Sequence, residues 1–264
     1  MRNLFLFIFL TPFYLVQGQE IDLSKWKKDS IPIGERLSQT NKSDAHWSFV
    51  IRDDSVHIVQ NTYERILGDV LAFPMDSIKG IVKGKNYIKS IYNGYLIGEK
   101  GSYLSGGLYF VSLHNDYSYE VEEIIEDPEH IYGYTNKNIL KIFEFHNKIY
   151  ATRGYPYKGL NTGNIIEVVY DQGKWQYKNI SKLIESPTIS FVHGTFLYII
   201  TSQYVLKIDK DLIIKQILQS PFYWGALYPT SAFIKNKDLY IAMRSGVLVI
   251  KNFESYPNYE WYVK

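Results

Sequence analysis

The stretch Thr230 to Phe253, TSAFIKNKDLYIAMRSGVLVIKNF, restricts the fold of this chain more than any other. It holds an apolar run at Ala232–Ile234, a polar turn at Lys235–Asp238 and a second apolar run at Leu239–Met243. A break at Arg244-Ser245-Gly246 leads into a third run, Val247–Ile250. Short β-rich runs separated by turn residues read as consecutive hairpins. The phrase recurs as SFVHGTFLYIITSQYVLKIDKD from Ser190, as IFEFHNKIYATRG from Ile142 and as IKSIYNGYLIGEKG from Ile88. A fainter copy, WSFVIRDDSVHIVQ, starts at Trp47.

Aligning the second run of each copy brings His57, Leu96, Tyr150, Tyr198 and Tyr240 into register, at spacings of 39, 54, 48 and 42 residues. The later units fill out to four strands. Unit four reads Thr188–Val192, Phe196–Thr201, Tyr204–Ile208 and Ile213–Leu218, and unit five adds Tyr259–Val263 as its fourth strand. In unit three, Ile165–Tyr170 and Trp175–Asn179 flank an Asp171-Gln172-Gly173 hairpin turn. Unit two continues with Leu108–Leu113 and Tyr119–Ile125. Unit one is irregular: across Tyr63–Phe73, Ile66, Leu67, Val70 and Leu71 fall at helical spacing, so a short helix competes with two irregular strands.

On the apolar-strand, turn, φ-Tyr-φ pattern of units three to five, the chain resembles the β-propeller repeat proteins over about Ala45 to Lys264. The resemblance implies an all-β propeller of about five four-stranded blades, with four or six as alternatives. One sheet cannot bury both faces alone, whereas radially packed sheets cover one another. The resemblance stops short of a named family: the Trp-Asp and Gly-His marks of WD40 blades, the paired glycines of kelch blades and the Asp-box of sialidase-like blades are all missing. A β-sandwich or two small β domains is the rival architecture.

Residues 1–18 read as a signal peptide. Arg2 gives a positive n-region, Leu4–Val16 an apolar h-region of 13 residues, and Val16-Gln17-Gly18 a small-residue cleavage site. The run falls short of the roughly 20 apolar residues of a membrane span. With no cysteine there is neither a lipoprotein anchor nor a disulfide, so a secreted or periplasmic mature chain starting at Gln19 is expected, without a membrane span. Two Asn-x-Ser sequons, at Asn41 and Asn179, matter only in a eukaryotic host. Residues 19–44 are polar and read as a linker or arm, with a short helix conceivable at Leu23–Lys28, and residues 45–264 form the propeller-like domain. A net charge of +2, with the two signs interspersed, argues against a nucleic-acid partner.

Chemistry-bearing motifs are sparse. The six histidines (46, 57, 114, 130, 146 and 193) lack ligand spacing, so no metal is expected. The acidic run from Glu120 to Glu129 reads as a solvated outer edge. Asp209-Lys210-Asp211 reads as a hairpin turn rather than a calcium loop. Nucleophile-elbow, dinucleotide and P-loop signatures are absent, and no cofactor is implied. Among the inner strands only Asp53 and Glu144 offer carboxylates, which leaves catalysis unsupported.

The propeller resemblance implies that second-to-third-strand loops and between-blade loops open on one face. Those loops carry Glu99, Lys100 and Tyr103; Arg153, Tyr155 and Tyr157; Ser202 and Gln203; Arg244; His46 and Trp47; and Tyr223, Trp224 and Tyr228. Thr152–Gly163 is the longest of them and would overhang the channel. Trp, Tyr and Arg are the residues of interface hot spots. The candidate partner-binding set is therefore Glu99, Tyr103, Arg153, Tyr155, Trp224, Tyr228 and Arg244. The leading expectation is a non-catalytic module that engages a protein partner through this face. A carbohydrate-binding or glycoside-cleaving propeller and a structural component of a cell-surface complex are the alternatives.

Overall fold

The repeated phrase folds as antiparallel hairpins, in a computed structural model that describes residues 21–52, 55–60, 66–69, 85–101, 106–114, 118–127, 137–157 and 160–264. Residues 21–46 carry a short strand, β1 (Lys27–Asp29), and a helix, α1 (Glu35–Thr40). Sheet I is the hairpin of β2 (Trp47–Arg52) and β3 (Ser55–Gln60). Sheet II runs in order through β4 (Ile66–Gly68), β5 (Lys85–Ile91), β6 (Gly94–Lys100), β7 (Gly107–Leu113) and β8 (Tyr119–Glu123). The next strand, β9 (Ile125–Glu126), leaves that sheet and lies against the far strand of sheet III.

Sheet III comprises β10 (Ile139–Phe145), β11 (Lys148–Tyr157), β12 (Leu160–Asp171) and β13 (Lys174–Leu183), with β9 added in parallel to β13. Sheet IV is β14 (Ile189–His193), β15 (Phe196–Ile200), β16 (Tyr204–Ile208) and β17 (Ile214–Gln219). Sheet V is β18 (Ser231–Lys235), β19 (Asp238–Met243), β20 (Gly246–Lys251) and β21 (Asn258–Val263). β1 joins sheet V as a fifth strand, antiparallel to β21, pairing Lys27 with Val263 and Asp29 with Trp261. The all-β class expected from the repeats is therefore what the chain adopts. No helix of the described residues is long and apolar enough to cross a membrane.

Turn chemistry fixes the register. The first hairpins of sheets II to V close between Ile91 and Gly94, Phe145 and Lys148, His193 and Phe196, and Lys235 and Asp238, each leaving a two-residue turn. Asn147, Gly194 and Asn236 hold φ near 60° in these turns, the left-handed conformation that Asn and Gly tolerate best. The aligned residues His57, Leu96, Tyr150, Tyr198 and Tyr240 lie on β3, β6, β11, β15 and β19, the second strand of each hairpin.

The core is a set of apolar slabs between successive sheets. Leu96, Leu108 and Phe110 of sheet II pack with Ile142, Ala151 and Ile166 of sheet III. Phe143, Tyr150 and Ile165 of sheet III meet Leu197, Ile199 and Leu206 of sheet IV. Tyr198, Ile200 and Val205 turn the other way, onto Leu239, Ile241 and Trp261 of sheet V. β15 is thus buried on both faces, which is why FLYII reads as a continuous apolar run instead of an alternation. Removing one such side chain, as in Ile199→Ala, costs about 2–5 kcal/mol. Sheet I packs on sheet V: Phe49 meets Phe233 edge-on at 4.8 Å, and the Phe49 amide donates to Ser231 Oγ at 2.7 Å.

Three expectations are corrected. Leu23–Lys28 is not helical; the Trp26 amide closes a turn onto the Leu23 carbonyl, and β1 starts at Lys27 because β21 offers it an open edge. Thr152–Gly163 is not an overhanging loop: Arg153 pairs with Asn164, Tyr155 with Thr162 and Tyr157 with Leu160, so the hairpin simply extends. Its β-branched and aromatic residues favour a pleated ladder. Within Tyr63–Phe73 the described portion is the strand β4, parallel to β5, and the remainder lies outside the described residues.

Candidate functional site

Because the hairpin turns are equally long, the fifth residue after the start of the second strand in sheets II to V stands at the same level of its sheet. Those residues are Glu99, Arg153, Thr201 and Met243, and none is more than 1% exposed. A polar group buried at this level must find a partner.

Arg153 finds several. Its Nε donates to Asn164 Oδ1 at 3.0 Å, Nη1 to Tyr177 Oη at 2.9 Å and Nη2 to Asn179 Oδ1 at 3.0 Å. Asn164 and Asn179 are joined by their side chains, and Asn179 donates in turn to the Glu126 carboxylate. Glu126 lies on β9, so this network fastens the added strand to sheet III. Burial pushes the Tyr177 hydroxyl up, although the Arg153 charge opposes it.

Thr201 is equally well held. Its hydroxyl donates to Glu185 at 2.7 Å, and the Ser202 amide donates to the same carboxylate oxygen at 3.0 Å. The indole N–H of Trp224 donates to the Thr201 carbonyl at 2.7 Å, while Gly225 sits so close to Ser202 that a Cβ would lie 2.7 Å from the serine Cβ. The loop between sheets IV and V is thereby packed onto the end of β15. Met243 needs no partner and sits in the apolar slab.

Glu99 is the exception. It is 0% exposed, and neither carboxylate oxygen has a hydrogen-bond partner among the described residues. Burial alone raises its pKa above the ordinary carboxylate value. Its cross-strand neighbours are Asn86, itself buried, and Gly107.

A second cluster lies at the junction of sheets V and I. The Arg244 guanidinium stacks on the Tyr228 ring, 4.4 Å from its centroid. Arg244 Nε donates to His46 Nε2 at 3.1 Å, and Nη1 donates to Asn41 Oδ1 at 2.8 Å and to the Asn41 carbonyl. Burial, and then the neighbouring guanidinium, hold His46 below its usual pKa, which favours the neutral ring that can accept. Arg244 Nη2 donates no hydrogen bond among the described residues. Tyr228 is 54% and Tyr223 47% exposed.

The seven residues singled out in the sequence therefore divide. Tyr228 and Arg244 form one cluster; Glu99 and Arg153 share a level in adjacent sheets but are buried. Tyr155 is half-buried within the extended hairpin, and Tyr103 lies outside the described residues. Trp224 does not belong to any surface: it is fully buried against Phe222 and sheet V. The carboxylates weighed for catalysis do not converge. Glu144 is exposed beside the Phe145–Lys148 turn, the opposite end of its hairpin from Arg153, and Asp53 lies outside the described residues. Asp209 Oδ1 accepts the Asp211 and Ile213 amides at 3.0 Å, so it serves the turn. Among the described residues no three His, Asp or Glu side chains gather as a metal site.

Sequence reasoning missed Asn41, Asn86, Asn164 and Asn179. Counting residues from the two-residue turns would have identified the shared level of Glu99, Arg153, Thr201 and Met243, whereas the arm's approach to Arg244 carries no local signal.

No protein-family model matches the chain, and no curated protein sequence matches it. Among solved structures, it is similar to a catalytically inactive virginiamycin B lyase from Staphylococcus aureus with quinupristin, at 12% identity and a TM-score of 0.39, over 90% of this chain and 88% of that one. It is also similar to the extracellular domain of a hybrid two-component system from B. thetaiotaomicron, at 12% identity and a TM-score of 0.43, over 88% of this chain but 34% of that one. A hypothetical selenium-binding protein from Sulfolobus tokodaii matches at 9% identity and a TM-score of 0.35, over 85% and 76%. These likenesses place the chain in no family.

Proposed function

We propose that this chain is a secreted or periplasmic propeller of about five blades that binds a protein partner, without catalysis, through the face bearing Tyr228 and Arg244. The propeller reading is supported by four consecutive hairpin-based sheets of like register and by first strands that pack in series. β10 lies against β5 and β6, β14 against β10, β18 against β14, and β2 against β18 and β19.

The observation that carries the binding reading is the state of Arg244. Its planar cation is stacked on an exposed tyrosine and pinned by Asn41 and His46, yet Nη2 donates no hydrogen bond among the described residues. A guanidinium held in one rotamer loses little entropy when a carboxylate or carbonyl docks on it, Tyr228 supplies rigid apolar area beside it, and Tyr223, in the same loop, is exposed as well. These are properties of an interface anchor.

The test uses residues 19–264 as bait against the native cell-envelope fraction, followed by affinity measurement with the purified captured protein. Tyr228→Ala with Tyr223→Ala is expected to weaken that complex about tenfold or more while the melting temperature stays put. Equal affinity for both baits would remove this face from consideration.

A further inference from the structure

We propose that Glu99 anchors a binding site for a cationic N–H donor, an organic ammonium or guanidinium group. The site is separate from the Tyr228–Arg244 face and stands or falls without it.

Four residues share one level of four sheets, and the chain satisfies three of them itself. Arg153 is bonded to Asn164, Tyr177 and Asn179, Thr201 to Glu185, and Met243 has nothing to satisfy. At the fourth, a fully buried carboxylate has no hydrogen bond and no ion pair among the described residues. Buried charges in folded proteins are paired or ligated, and no cation among the described residues complements Glu99, which leaves that place for one that binds.

The surroundings suit that role. Gly107, opposite Glu99 on β7, leaves room that the Tyr109 hydroxyl occupies: a Cβ on Gly107 would lie 2.6 Å from Tyr109 Oη. On the other side is the Asn86 amide. The Glu99 carboxylate, the Tyr109 phenol and the Asn86 amide together bring acceptor oxygens and one formal negative charge to this level. The following residue, Lys100, is exposed at the end of β6. The nearest cation on the adjacent first strand, Lys141, does not serve: it forms no ion pair with Glu99 and lies 6.0 Å over the Tyr87 ring. A divalent metal is a poorer match, because hard cations need about six oxygens and more negative charge than one carboxylate. An ammonium or guanidinium group needs only two or three acceptors.

The decisive measurement follows the Glu99 carboxyl ¹³C resonance in protein labelled at glutamate, during titration with methylammonium chloride, with the tripeptide Gly-Lys-Gly, and with sodium chloride at matched ionic strength. The resonance is expected to move saturably with the amines and not with sodium. A much tighter tripeptide would identify a peptide side chain as the natural source, and equal affinities a free amine. In Glu99→Gln the melting-temperature rise produced by the amines in wild type is expected to vanish. An unmoved Glu99 resonance, or the same response to sodium as to both amines, would overturn the proposal. The resonance experiment needs wild-type protein only, so it decides even if the variant does not fold.

Discussion

Arg153 and Glu99 each stand five residues after the start of a second strand, in neighbouring sheets, yet the Arg153 side chain donates three hydrogen bonds and the Glu99 carboxylate accepts none among the described residues. The same backbone position is thus used for opposite purposes. In sheet III it fastens β9, and in sheet II it buries a carboxylate with no hydrogen-bond partner among the described residues. The two sites predict opposite mutational outcomes.

Arg153→Ala should be severely destabilising. It removes the guanidinium donor from Asn164, Tyr177 and Asn179, leaving Asn179 Oδ1 only the Asn164 amide, and loosens β9 through Glu126. Hydrogen bonds of a charged group are worth about 1.5–3 kcal/mol each, with poor additivity. A loss of about 3 kcal/mol or more is expected in urea unfolding, and Arg153→Lys should recover only part of it because an ammonium lacks the guanidinium's planar fork.

Glu99→Gln should be neutral or stabilising, by about 1–3 kcal/mol at neutral pH, since it removes an unmatched buried charge. The pH dependence has a definite sign. Burial raises the folded-state pKa above 4.5, so folding favours the protonated form. This stability contribution is complete below the unfolded pKa and declines as pH rises through the raised folded value. Unfolding curves of wild type and Glu99→Gln across acidic to neutral pH should therefore diverge, with wild type losing ground upwards. Parallel curves would show that Glu99 is not desolvated.

Lys141 should behave as the alkaline mirror image. Burial holds its amine below the ordinary 10.5. The folded state then binds this proton more weakly than the unfolded chain, and stability rises with pH through the lowered folded value up to 10.5. Lys141→Met should flatten that slope in unfolding measurements made on the alkaline side.

Arg244→Ala should release the N-terminal arm while sparing the sheets. The substitution removes the hydrogen bonds to Asn41 and His46 and strips the stacked guanidinium from the Tyr228 ring. Limited proteolysis should cut sooner within residues 30–46, with global stability lowered by about 1–2 kcal/mol. Tyr228→Ala, by contrast, should change stability by no more than about 0.5 kcal/mol, as an exposed residue would.

Deleting residues 1–30 should expose the edge of β21 and uncover Trp47, whose ring packs edge-on against Trp26 at 4.6 Å. An unpaired strand edge invites association, so light scattering should report aggregation on heating that the longer chain does not show. A monomeric and equally stable truncation would mean that the β1–β21 pairing contributes little.

Much of the scaffold was legible because hairpins are local. The strand runs of sheets IV and V were readable to within a residue or two from apolar runs bounded by Asn, Gly and Asp turns. The Asp171-Gln172-Gly173 turn was readable too, and Gln172 and Gly173 take the positive φ that such a turn requires. The site was less legible. Trp224 and Tyr228 stand four residues apart in one polar-aromatic loop, and nothing local distinguishes the one that is fully buried from the one left half in water.

By itself, then, the sequence determined the alternation of strand and turn, the length of each hairpin turn and hence which residues share a level. Those follow from backbone sterics and from apolar periodicity, which act between near neighbours. Only the tertiary structure decided that β1 would pair with a strand more than two hundred residues away, that Asn179 would reach Glu126, and that Arg244 would be met by Asn41 while Glu99 was met by nothing among the described residues. Pairings of that kind depend on which surfaces the packed sheets bring together, and no local propensity encodes them.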